Sequence, residues 1–314
     1  MRSNSSNNNW IPNNAFSNNR PVLIAGLSLL FFSLFALVMN LVYDHYPANN
    51  YFPPETLLAG ISLGLIYLGL TIQLGKSTRL TLIIQEILFF FGVLAVMALA
   101  TNAAQLTPFP TIDHKIIAFE RSWHIDLNHW MSYAQSMPML TRLLEFAYNS
   151  LPYQMVCIPL ALILINEKHY VREYYFFLML SATLGFGFYY FFPTTAPASM
   201  ITSDYFTAAQ HATALKFSQL HHHIQPTTQE GGLIALPSFH AIWAWYCLYI
   251  LRGWPFAMIL LMPLNLLLLF SCVLLGWHYL SDLLGAVVVV GLTHLVYNSF
   301  RLTFDSDSSI VSNT

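Results

Sequence analysis

Charge is what this 314-residue chain has least of: Asp, Glu, Lys and Arg together make up 8% of it, against 56% hydrophobic residues. Soluble domains carry roughly 25% charged residues, so the chain cannot cover itself with a solvated surface. The formal net charge of −2 excludes the basic footprint of a nucleic-acid binder. Only three cysteines occur, Cys157, Cys247 and Cys272, each inside an apolar stretch and without the spacing of metal ligands. They read as small packing residues and say nothing of a redox compartment. No acidic cluster of the kind that cages a hard cation is present, so neither a metal nor a cofactor is expected. A soluble domain and an internal repeat are also missing.

What the chain does have is long apolar runs: Pro21–Tyr43, Thr56–Leu74, Leu80–Ala100, Met139–Ile165, Tyr174–Phe192, Leu233–Leu251, Trp254–Leu275 and His278–Phe300. Each reaches the ~17–25 residues a helix needs to cross the hydrocarbon layer. They lack the alternation of barrel strands, and in lipid only helices or closed barrels satisfy their own backbone. The expectation is an all-α, polytopic transmembrane bundle of about eight spans over residues 21–300, with tails at 1–20 and 301–314. The Asn/Ser-rich N-terminal tail has little to bury and reads as disordered. Its Asn4-Ser5-Ser6 triplet matches a glycosylation sequon by a pattern short enough to arise by chance. The first apolar run is too long for a signal-peptide core and reads as a retained anchor.

Positive charge orients such a bundle. With the N-terminus in the cytosol, Arg2, Arg20, Lys76, Arg79, Lys168, Arg172, Arg252 and Arg301 fall inside, and Lys115, Arg121, Arg142 and Lys216 fall outside. That bias places both termini in the cytosol and the loops Thr101–Pro138 and Pro193–Gly232 outside. Within Lys115–Met137, apolar residues recur at roughly helical spacing, as in a helix lying on the outer leaflet or packed in an ordinary loop.

Two stretches place histidine where the chain enters a span from the outer side. In Leu236-Pro237-Ser238-Phe239-His240, proline suits a first helical turn, whose free N–H groups and positive dipole end can hold an anion. In Gly276-Trp277-His278-Tyr279-Leu280-Ser281-Asp282, His278 and Asp282 are four apart and so share a helical face. The carboxylate can take the Nδ1 proton, leaving Nε2 as a nucleophile. An ionisable group inside an apolar span is costly and usually functional. One inward and one outward crossing separate the two stretches, so both histidines reach the same side. A phosphate fits between them, one histidine attacking phosphorus and the other protonating the leaving oxygen.

Pro237-Ser238-Phe239-His240, and Ser271-Cys272 followed by His278 and Asp282, resemble the second and third motifs of the type 2 phosphatidic acid phosphatase superfamily, P-S-G-H and S-R-x₅-H-x₃-D. Phe192-Pro193-Thr194-Thr195-Ala196-Pro197 and Tyr148-Asn149-Ser150-Leu151-Pro152 further resemble the branch containing fungal inositol phosphorylceramide synthase. The resemblance spans about residues 110–300 and implies a six-helix core in the C-terminal two-thirds. It implies a metal-independent lipid phosphatase or phosphotransferase with a phosphohistidine intermediate. His278 would be nucleophile, Asp282 its orienter, His240 general acid then base, and Ser238 a phosphate-binding group. The substrate would be a lipid phosphate or phospholipid from the bilayer, with water or an alcohol as acceptor. Thr195, Tyr148 and Arg142 are substrate-binding candidates. The superfamily's first motif, K-x₆-R-P, is missing and Cys272 stands in place of its third-motif arginine, so cations that usually hold phosphate are lost. Lys216 and Arg142 could replace them, although a surface lysine and a snorkelling arginine are the plainer readings.

The remaining polar residues read as structural. His221-His222-His223 cannot all point one way and so make a poor metal site. Glu86 should pair with an inner-side base such as Arg79, Glu145 with Arg142 three residues away, and His294 should be a packed, neutral histidine. The rival classes are a transporter, which needs broken helices and polar groups at mid-membrane, an inactive structural membrane protein, and the soluble vanadate haloperoxidases that share the His/His/Asp logic.

Overall fold

The computed structural model describes residues 19–311, with side chains as far as Arg301; the N-terminal tail and its sequon lie outside the described residues. The described residues form twelve α-helices and no strand. Six are long and apolar enough to cross a membrane: α1 (Arg20–Met39, extended by a π turn to Asp44), α2 (Thr56–Leu74), α3 (Arg79–Ala104), α8 (Lys168–Phe191), α11 (Pro255–Leu274) and α12 (Leu280–Val311). The run Met139–Ile165 folds as two helices, α6 (Pro138–Asn149) and α7 (Leu151–Leu164), bent by 46° and passing the same test together. Pro152 in the first turn of α7 accounts for the break, because it has no N–H to continue α6.

The sixth apolar run behaves differently from expectation. Of Leu233–Leu251 only α10 (Phe239–Tyr249) is helical, about 16 Å at 1.5 Å per residue, which is roughly half of a hydrocarbon layer. Leu233 through Ser238 run non-helically yet are buried. Such backbone is tolerated inside a bundle only where protein groups meet its polar atoms. Here the Leu236 N–H donates to Thr194 Oγ1 (2.9 Å) and the Ser238 N–H to the Asp282 carbonyl (3.0 Å). The segment is apolar because protein surrounds it.

The loop after α3 likewise forms two short helices where one was expected, α4 (Asp113–Ser122) and α5 (Leu127–Gln135), with Asp126 capping the second through Asn128 and His129. A further loop helix, α9 (Ala208–His221), starts with a Thr207–Gln210 capping box. The packed centre lies between α1, α3, α8, α10 and α12, where α8 contributes Tyr174, Tyr175, Phe176, Phe177, Tyr189 and Tyr190. By contrast α2 buries nothing and touches the bundle mainly through α3.

One end of the bundle collects buried ion pairs. Glu86 is held by Arg172 (2.5 and 3.2 Å), while Arg79 donates to the Leu164 carbonyl; Arg172 thus displaces Arg79 as the partner expected for Glu86. Glu173 is gripped by Arg252 and by Tyr297 (2.7 Å). His294 packs among Phe177, Tyr249 and Tyr297 and accepts from Trp245 Nε1 at 2.9 Å. The opposite end holds the two histidine stretches.

Candidate active site

His278 sits just before α12, after Gly276, whose φ of +76° makes the turn between α11 and α12. A Cβ on Gly276 would fall 2.2 Å from the Met131 sulfur, so glycine is also required by space. The turn is pinned by the His278 N–H donating to the Cys272 carbonyl (2.8 Å). The His278 Nδ1 then lies 3.1 Å from Asp282 Oδ2 and 3.1 Å from the Ala235 carbonyl oxygen. Neither neighbour can donate, so Nδ1 must carry the proton and Nε2 the lone pair. Asp282 is fully buried, and the same Oδ2 also accepts the Tyr279 N–H at 3.0 Å.

His240 is the second residue of α10. Its ring lies 5.7 Å from that of His278 and nearly edge-on to it, while Tyr148 stacks on it at 4.2 Å and on Trp277 at 5.3 Å. Tyr148, His240, Trp277 and His278 enclose, with Ala196, Thr213, Phe217 and the Gly232–Ala235 segment, a cavity of about 30 Å³. That is the share of one water molecule, so a phosphoryl group enters only if a wall side chain moves. No lysine or arginine lines this cavity.

The other expected site residues fall as follows. Ser238 is fully buried; its Oγ caps the Ala241 N–H and meets the Cys272 thiol. Thr195 sits behind the cavity, where its N–H and hydroxyl both donate to Asp113 Oδ1 (2.8 and 3.1 Å). Tyr148 is a wall of the cavity, but Arg142 is exposed on α6 and not brought to the histidines. Arg142 also makes no ion pair with Glu145 among the described residues, against expectation. Lys216 is not a surface lysine: it is fully buried in α9, Nζ donating to the carbonyls of Glu230 (2.6 Å) and Gly231 (3.0 Å). Burial pushes its pKa down to about 8. The three consecutive histidines diverge, His221 toward Tyr189, His222 onto the Ser218 carbonyl, and His223 stacked on Tyr46.

Two acids of the loop helix α4 were not foreseen. Glu120 accepts the Ser281 N–H (2.7 Å) and hydroxyl (2.8 Å), and Asp113 holds Thr195. Burial raises the pKa of both, Asp113 to about 6 against the pull of its Thr195 bonds; Asp282 adds a smaller upward push on each. Their seven-residue spacing, two turns along one helical face, was the available signal. The first turn of α12 is already taken by Glu120 and Asp282, so the α10 start is the one left to a phosphate.

A family model described as the PAP2 superfamily matches residues 114–296 of the chain. No curated protein and no solved structure gives a significant match.

Proposed function

The chain belongs to the PAP2 superfamily, and from that membership and the geometry of its site we propose a membrane lipid phosphatase or phosphotransferase working through a phosphohistidine. The observation that carries this reading is the His278 Nδ1 held between two acceptors, which commits Nε2 to be a nucleophile. Nε2 attacks phosphorus, forming the P–N bond as the P–O bond to the leaving group breaks. His240, on the facing helix start, gives that oxygen its proton. It then takes a proton from the incoming water or alcohol, whose oxygen displaces His278 from phosphorus. Asp282 stabilises the positive charge that His278 acquires meanwhile. Ser238 caps the first turn of α10, whose remaining N–H groups meet the phosphoryl oxygens, and Tyr148 closes the cavity over them. Thr195 positions the loop through Asp113. The substrate is a lipid phosphate or phospholipid, presented at the extracytoplasmic face as the charge asymmetry of the loops directs. The phospho-headgroup transfer of inositol phosphorylceramide synthase is the form of this chemistry nearest to the Phe192–Pro197 and Tyr148–Pro152 stretches.

Purified protein in detergent, given a panel of lipid phosphates with and without alcohols, is expected to release or transfer phosphate, as read by mass spectrometry. The His278→Ala variant is expected to fold and to lose this turnover. Residual activity within about tenfold of the parent, ~1.4 kcal/mol of barrier, would overturn the nucleophile assignment. EDTA is expected to leave the rate unchanged and orthovanadate to depress it; loss with EDTA and rescue by magnesium would overturn the metal-free mechanism.

A further inference from the structure

The histidine cavity, about 30 Å³, admits a phosphoryl group only when one of its walls gives way, and its walls differ in how they are held. Tyr148, His240 and Trp277 form one aromatic stack, and His278 is fixed by two acceptors and by its own N–H. Thr213 and Phe217 are buried on α9. The Gly232 edge is different. It ends a strap, residues 222–232, in which only Pro226 is buried and only Thr228 half-buried. Among the described residues, the hydrogen bonds that tie this strap to the rest of the chain go to two places. On one side is α9, where Gln219 bonds Thr227, and Lys216 Nζ and Thr213 Oγ1 donate to the Glu230 carbonyl (2.6 and 3.2 Å). On the other is the connection between α1 and α2. There Asn49 Nδ2 donates to the Thr228 carbonyl (2.9 Å), Gln225 Nε2 to the Ala48 carbonyl (3.2 Å) and Gln229 Nε2 to the Asn50 carbonyl (3.0 Å). Tyr46 stacks on His223 with ring centroids 3.4 Å apart.

The connection is itself anchored on the bundle. Asn102 and Gln105 at the end of α3 bond Asn49, Asn50 and Tyr51, and Asn40 bonds both the N–H and the carbonyl of Tyr46. The contacts from this anchored loop to the strap are of another kind. They are amide-to-carbonyl bonds and one ring stack, exposed or half-buried, and no residue of 222–232 joins the apolar core. A segment held in that way opens locally while the bundle stays folded. Its ends can act as pivots: His223 (φ +57°) and Gly231 (φ +69°) both lie in the left-handed region. A Cβ on Gly231 would fall 2.1 Å from Thr213 Oγ1, whereas one on Gly232 would meet nothing within 4 Å. We infer that residues 222–232 are a lid over the histidine pair and that the α1–α2 connection is the clasp that holds it shut. Tyr46 and Asn49 then set how often the cavity opens. The inference rests on the phosphohistidine reading for what the lid admits, but not for the opening itself.

The test therefore has a labelling arm and a turnover arm. In the labelling arm, the full chain in detergent keeps the buried Cys247, lacks Cys157 and Cys272, and carries Ala196→Cys on a cavity wall outside the lid. Its reaction with a small, water-soluble methanethiosulfonate is expected to be slow. Adding Tyr46→Ala or Asn49→Ala is expected to speed it several-fold to about tenfold, the population shift that losing one such contact produces, while Cys247 stays unreactive. Equal rates in all three chains, or a rise at Cys247 matching that at position 196, would overturn the inference. In the turnover arm, Tyr46→Cys and His223→Cys are joined by a short, reducible bifunctional methanethiosulfonate in a chain lacking the three native cysteines. Phosphate release from a panel of lipid phosphates is expected to fall about tenfold or more on cross-linking and to recover on reduction. An unchanged rate in the cross-linked chain, or failure of the pair to cross-link, would overturn the lid. Gated labelling without any release of phosphate would leave the lid standing and remove the phosphohistidine reading instead.

Discussion

The Nδ1 of His278 and the two oxygens beside it were half legible from the sequence. The spacing of four between His278 and Asp282 predicts one contact, because residues at that interval share a helical face. The Ala235 carbonyl comes from 43 residues away, and only the buried, non-helical entry to α10 brings it there. The partners of Asp113 and Glu120 were illegible for the same reason, since Thr195 and Ser281 lie 82 and 161 residues away. Asp113 gives a prediction at this scale. Its folded pKa of about 6 exceeds the unfolded value of 3.8, so the folded chain binds the extra proton. That contribution is complete below about pH 4 and is lost as pH rises through 6, a change on the order of 2–3 kcal/mol. Asparagine keeps an oxygen for Thr195 and cannot titrate. Stability of the parent relative to Asp113→Asn is therefore expected to fall between pH 4 and pH 6.5, as read from chemical unfolding in detergent at each pH. A difference that stays constant with pH would show that Asp113 is not the buried acid described.

At the scale of elements, the site depends on how closely α12 approaches the Leu233–Ser238 segment. A Cβ on Gly285 would fall 2.5 Å from Leu236 Cδ1 and 3.5 Å from Pro237 Cα. The neighbouring backbone carries both the Ala235 carbonyl on His278 and the Ser238 N–H on Asp282. Gly285→Ala is therefore expected to cost about 1–3 kcal/mol of stability, the usual penalty of overpacking, and to lower turnover as well. Gly291 lies in the same helix, and a Cβ added there would meet nothing within 4 Å, so Gly291→Ala should be neutral or slightly stabilising. Thermal midpoints and rates of both variants check this, and equal behaviour would mean that the approach of α12 does not position the pair. Sequence reading gave the existence of these elements but not the length of α10, since an apolar run looks the same whether lipid or protein covers it. It misplaced Lys216 likewise: nothing in a loop's composition shows that residues 230 and 231 fold back over α9.

For the whole molecule, the two ends of the bundle differ in what they carry. Gln105, just past the end of α3, bonds to the Asn49 carbonyl, and Asn49 donates to the Thr228 carbonyl. Thr107 and Ile112 continue this end onto Tyr190 and Pro193, next to the Thr194 and Thr195 that hold the site. Ser77 lies at the other end of α3, a 26-residue helix about 39 Å long at 1.5 Å per residue. Arg20, Lys76, Arg79, Lys168, Arg172 and Arg252 lie toward the Ser77 end, whereas the histidine end carries Lys115, Arg121, Arg142 and Lys216. We propose that the Ser77 end, with the larger share of the positive charge, faces the cytosol and that the histidines face outward. Thr227 and Ser77 are both exposed, and a single cysteine at either one reports this directly. In a variant lacking Cys157, Cys247 and Cys272, Thr227→Cys is expected to react with a membrane-impermeant maleimide added to intact cells. Ser77→Cys is expected to react only after the membrane is opened. The reverse pattern would invert the bundle and move lipid dephosphorylation to the cytosolic leaflet. Labelling of both from outside would break the parity of the spans, and the short α10 is where that parity would fail.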